Sequence, residues 1–61
     1  MYNIYGKVKD EEKYQLVNVA SGDFVNRKIH ASLFKTREEA ERVCYELEKE
    51  NEDMFFESRV A

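Results

Sequence analysis

Thr36-Arg37-Glu38-Glu39-Ala40-Glu41-Arg42-Val43-Cys44-Tyr45-Glu46-Leu47 is where the chain changes period. Ala40, Val43, Cys44 and Leu47 recur at helical spacing and share one stripe. Thr36 with Glu39 three residues on fits the capping box: the threonine oxygen takes the amide of residue 39, and the glutamate is expected to reach back. Asn51 falls on the same stripe, and the helix is expected to end near it. Glu38 with Arg42 and Arg42 with Glu46 stand four apart, so each pair is expected to add about 0.2–0.5 kcal/mol. A helix with one apolar stripe has to bury it against another layer.

The other layer is read on either side of this stretch. Residues 2–9 alternate, with Tyr2, Ile4, Gly6 and Val8 against Asn3, Tyr5, Lys7 and Lys9, which is the period of a strand. Asp10-Glu11-Glu12 is polar enough to turn. Residues 13–20 are rich in strand formers. Ser21-Gly22-Asp23 supplies a glycine for a tight hairpin. Residues 24–30 are expected to continue as a third strand. Its register is open: a two- or four-residue loop opposes Val19 with Phe24, and a three-residue loop opposes it with Val25. Residues 54–60, Met-Phe-Phe-Glu-Ser-Arg-Val, read as a closing strand.

The order is therefore β-β-β-α-β, an α+β domain over residues 1–61. It is expected to form a mainly antiparallel sheet with one helix packed on one face. Leu33 and Phe34, just before the helix, are expected to fill the junction between the layers.

One helix covers one face, yet both faces of these strands carry apolar groups. Ile4, Val8, Phe56 and Val60 point one way; Tyr5 and Phe55 point the other. In the second strand, Leu16 and Ala20 oppose Val17 and Val19. A solvated sheet face reads polar at every second position, and this one does not. A second apolar surface built from Tyr5, Val17, Val19 and Phe55 is therefore expected, and large exposed apolar patches mark contact sites. The alternative packs Val17 and Val19 beneath the helix and leaves single exposed aromatics. Tyr45 projects away from the stripe, beside Glu41, Arg42 and Lys49, and is a candidate anchor of its own.

Composition narrows the function. With 61 residues, the chain holds one domain, and so small a chain is left with either oligomerisation or an economical core. Its single cysteine excludes a disulfide framework, and Cys44 with His30 is too small a set for a structural zinc site. No apolar run is long enough to span a membrane. The first residues lack the pattern of a signal peptide, so a cytoplasmic setting is expected. The net charge of −3 is unevenly spread. Residues 1–35 carry six bases against four acids, and residues 36–61 carry four against nine. A general nucleic-acid binder would show a clear basic excess.

No constellation for catalysis stands out. Cys44 lies on the apolar stripe and is expected to be a buried, inert thiol. His30, among Arg27 and Lys28, is expected at the surface. The acids from Glu46 to Asp53 lack the register and turn glycine of a calcium loop. There is no glycine-rich phosphate loop, and no cofactor or metal is expected.

The stretch Leu33-Phe34-Lys35-Thr36-Arg37-Glu38-Glu39-Ala40-Glu41 resembles the short uncharacterised proteins of Gram-positive bacteria and their phages. That resemblance implies action by binding a host protein, and it carries over no site residue. The expected function is a non-enzymatic protein–protein interaction module, self-associating as a homodimer through the sheet face or binding another protein. Two alternatives remain. The sheet aromatics with Lys7, Lys9 and Arg59 could stack a single nucleic-acid strand. Glu38, Glu41, Glu48, Glu52 and Asp53 on the outer side of the helix could imitate nucleic acid.

Overall fold

Alternating apolar residues at the start of the chain form β1 (Tyr2–Val8), and the fold is built outward from it. The computed structural model describes residues 1–61. β2 (Gln15–Asn18) and β4 (Met54–Val60) flank β1, and β3 (Asp23–Val25) adds to the far side of β2. The sheet runs β3-β2-β1-β4, antiparallel throughout. Helix α1 (Arg37–Glu50) lies across one face. This is the expected α+β architecture.

Both ends of α1 follow from local chemistry. The Glu39 amide donates to Thr36 Oγ1 at 3.2 Å, which satisfies one of the free N–H groups of the first turn. Only the threonine half of the capping box forms, since Glu39 remains in solvent. At the other end, the backbone amide and the side-chain amide of Asn51 both donate to the Leu47 carbonyl, each at 2.9 Å. The ion pair on the helix is Arg37–Glu41 at 3.9 Å, not the expected Glu38–Arg42 and Arg42–Glu46 pairs. Both partners are largely exposed, so it adds little.

The core is Ile4, Val17, Ala40, Cys44 and Phe56, with Tyr2, Val19, Phe34, Val43, Leu47 and Met54 packed around it. Two of the residues expected on the opposite face are therefore here. Tyr5 pairs with Leu16, which puts Leu16 on the open face with Tyr5 and turns Val17 and Val19 under the helix. A strand's faces are set by its pairing register, so a one-residue change exchanges all of them.

The hairpin also differs from both expected registers. Asn18 pairs with Asp23 and Val17 with Phe24, leaving a four-residue loop from Val19 to Gly22. Gly22 closes it at φ +77, and its amide donates to the Asn18 carbonyl at 2.8 Å. A side chain is disfavoured at such a φ.

β3 ends at Val25, well short of residue 30. A strand continuing to His30 would carry the chain about 16 Å further from Tyr2. Phe34, however, has to reach Tyr2, with which it exchanges two backbone hydrogen bonds of 2.8 and 2.9 Å. The chain instead doubles back through a short 3-10 turn at Lys28–His30. Residues 32–34 then fill the fork where β1 and β2 diverge. The Ser32 amide donates to the Val17 carbonyl at 3.2 Å, and Ser32 Oγ accepts from the Val19 amide at 2.8 Å. Asn3, fully buried at 1% exposure, donates from Nδ2 to the Ser32 carbonyl at 2.9 Å. Phe34 joins the core as expected, whereas Leu33 is exposed.

A candidate docking face and a free sheet edge

The face of the sheet away from α1 is assembled by register. Tyr5 stands between Leu16 and Glu57, and Lys7 stands beside Phe55. Side chains of paired residues share a face, so these groups adjoin. Tyr14, two residues before Leu16, lies on the same side. Five contacts then join cations to rings. Lys7 Nζ is 5.6 Å from the Tyr14 ring centre and 5.6 Å from that of Phe55. Lys9 Nζ is 5.4 Å from Phe55. The Arg59 guanidinium lies 4.4 Å from the Tyr5 ring and 5.3 Å from that of Tyr14. Each ring thus sits beneath positive charge, a favourable cation–π arrangement.

Glu57 is the acid of this face, and it pairs with Arg59. Loss of solvent, and then the charge of Glu57, push the Tyr14 phenol above its ordinary pKa. Phe55 is 42% exposed, so the face is open to contact. Of the four residues expected here, Tyr5 and Phe55 are present and Val17 and Val19 are not. Val19 instead lines a hollow of about 270 Å³ with Phe24, Leu47 and Met54. Tyr14 and Leu16 were missed by sequence reasoning. Their alternation with Gln15 and Val17 was visible, but which pair faced the helix depends on the register.

The second free surface is the outer edge of β4. Lys9 donates to the Asp53 carbonyl and Ala61 to the Met1 carbonyl, so the odd-numbered residues of β4 carry the bonds to β1. The even-numbered ones turn their backbone groups outward. Met54 N–H is used by the Asn51 carbonyl at 3.0 Å. Phe56 N–H donates to Glu48 Oε2 at 2.9 Å. Glu48 was expected on the outer side of the helix with the other acids; it bends over the edge strand instead. Beside this edge runs a groove of about 320 Å³ lined by Cys44, Tyr45, Glu48, Phe56 and Ser58 among others. Tyr45 forms its wall, 61% exposed and with Lys49 Nζ 5.0 Å from its ring centre.

The remaining candidates stand apart from both surfaces or are chemically quiet. Burial, reinforced by the charges of Glu48 and Glu41, pushes the Cys44 thiol up to about 11. His30 is exposed at the end of the 3-10 turn. No group of three or more His, Cys, Asp or Glu side chains is placed to hold a metal ion. No helix is long and apolar enough to cross a membrane. Comparison with protein families, curated proteins and solved structures returns no match to this chain.

Proposed function

We propose that the chain is a small, non-enzymatic protein–protein interaction module that docks its partner on the open face of the sheet. The observation that carries this reading is the grouping of Tyr5, Tyr14 and Phe55 on one face, each ring beneath a cation. Aromatic residues and arginine are enriched where proteins meet, because they offer large rigid contact areas with polar handles. Lys7, Lys9 and Arg59 outnumber Glu57, so the face suits an acidic protein surface. A second copy presented face to face would set these cations against one another. In this reading the face therefore serves a different protein, such as the host protein that the resemblance implies.

The test is cross-linked capture with wild type, Tyr5→Glu, Phe55→Glu and, as a control on the helix exterior, Glu38→Gln. The expected result is a partner held by wild type and Glu38→Gln and lost from both face variants. A partner retained equally by Tyr5→Glu and Phe55→Glu overturns the assignment. The same cations and rings favour one second reading, a single nucleic-acid strand stacked on the face. Titration of a labelled oligonucleotide at low salt separates the two. A salt-sensitive rise in anisotropy supports the nucleic-acid reading, and a flat titration removes it.

A further inference from the structure

We infer that the outer edge of β4 is a self-association site, and that two copies join there antiparallel about Ser58 into one continuous sheet. This deepens the reading of an interaction module by naming where a second copy binds, and it leaves the open face free. The backbone groups of Ser58 and Val60 point away from β1 and have no partner within the chain. Such an edge is a template for another strand.

Charge selects the register. Only even-numbered residues can hydrogen-bond across this edge, so the two-fold axis must fall on a residue, because an axis between two neighbours would set even opposite odd. Centred on Glu57, the pairing opposes Glu57 to its own copy; centred on Arg59, it opposes Arg59 to its own copy. Like charges directly opposite are destabilising. Centred on Ser58, it sets Glu57 across from Arg59 of the second copy, and Arg59 across from its Glu57. Both acid–base pairs form on the open-face side of the joined sheet.

The same register brings apolar groups together on the helix side. Val60, 70% exposed in the single chain, comes opposite Phe56 of the other copy and against the groove walled by Tyr45. The association then covers Val60 and gives exposed Tyr45 a contact. Phe56 N–H exchanges Glu48 for the Val60 carbonyl of the second copy. Because the two-fold axis stands perpendicular to the sheet, both helices lie on one side and both open faces on the other, side by side. The dimer is thus bivalent toward the partner of the open face.

The experiment is sedimentation and light scattering of the full chain over a wide concentration range, with variants at the edge. Wild type is expected to rise from 7.3 kDa toward twice that mass. Ser58→Pro removes an outward N–H that no bond inside the chain uses; proline is tolerated at such edge positions. It is expected to remain monomeric with an unchanged circular dichroism spectrum. Arg59→Glu is expected to weaken association at least about tenfold. Adding Glu57→Arg to it is expected to restore it, because the swapped pair again meets its opposite. A wild type that stays monomeric throughout, a folded Ser58→Pro that dimerises normally, or a double swap no better than Arg59→Glu alone overturns the inference. Tyr5→Glu and Phe55→Glu are expected to leave the dimer intact, so this inference and the docking face fail on different variants.

Discussion

The ring of Phe56 covers Gly6 so closely that a β-carbon on residue 6 would lie 2.7 Å from its Cε1. The two residues pair across β1 and β4, and Phe56 is a core residue, so its ring has little freedom to retreat. Val17 Cγ2 stands 3.3 Å from the same point. Ordinarily a Gly→Ala change in a strand is favourable, because it restricts the unfolded chain. Here the sign reverses. Gly6→Ala is expected to lower stability by about 1–3 kcal/mol, as overpacking does. A denaturant melt with an unchanged slope and an earlier midpoint checks it.

Asn3 holds the returning segment to the sheet. Its Nδ2 reaches the Ser32 carbonyl at 2.9 Å, while its buried Oδ1 has no partner within the chain. Asn3→Ala removes the bond and leaves the Ser32 carbonyl in a poorly solvated fork. The expected loss is about 1–3 kcal/mol. Hydrogen exchange should quicken first at the Tyr2 and Phe34 amides, which close the same fork. Unchanged protection there would show that the fork is held by other means.

Glu48 serves the single chain and opposes its doubling. Its carboxylate accepts the Phe56 N–H at the sheet edge. Glu48→Ala is expected to reduce monomer stability by about 0.5–1.5 kcal/mol. It should also tighten self-association, because the Phe56 amide is then free for a second strand. Thermal melts at low concentration and sedimentation at high concentration should therefore move in opposite directions. Glu48→Gln keeps an acceptor oxygen and should fall between wild type and Glu48→Ala in both.

Cys44 sits on the buried side of α1 with its thiol raised to about 11, first by burial and then by the carboxylates of Glu48 and Glu41. The reactive species is the thiolate. At neutral pH, modification by a thiol reagent is expected to proceed only as fast as the protein opens, and to be rapid in denaturant. The pH dependence has a definite sign. From about pH 9 to about pH 11 the unfolded thiol releases its proton while the folded one keeps it. Stability therefore falls as pH rises through that window. Cys44→Ala should show a shallower fall, and an identical alkaline slope would remove the thiol as its cause.

The sequence by itself determined the kinds of element and their order, because period and capping are local. Thr36 and Asn51 bracket the helix as their side chains suggest, and Ala40 and Cys44 are buried at the spacing that predicted it. The alternation of Tyr2 to Val8 sets the two faces of β1, with Ile4 and Gly6 buried and Tyr5 and Lys7 more open; Asn3 breaks it, because the returning segment at Ser32 covers its side. Tertiary structure decided what depends on pairing between distant residues. The sequence of β2 carries apolar residues on both faces, so its local pattern does not say whether Val17 or Leu16 meets the helix. The pairing of Tyr5 with Leu16 makes that choice. The end of β3 was equally hidden, because it is set by the need to return Phe34 to Tyr2 rather than by the residues of β3. Glu48 read as one more solvated acid, and only the placement of α1 beside the free edge of β4 gives it an amide to hold. Tyr14 and Arg59 are 45 positions apart in the chain; the sheet brings them within stacking distance, and with them the face on which the functional reading rests.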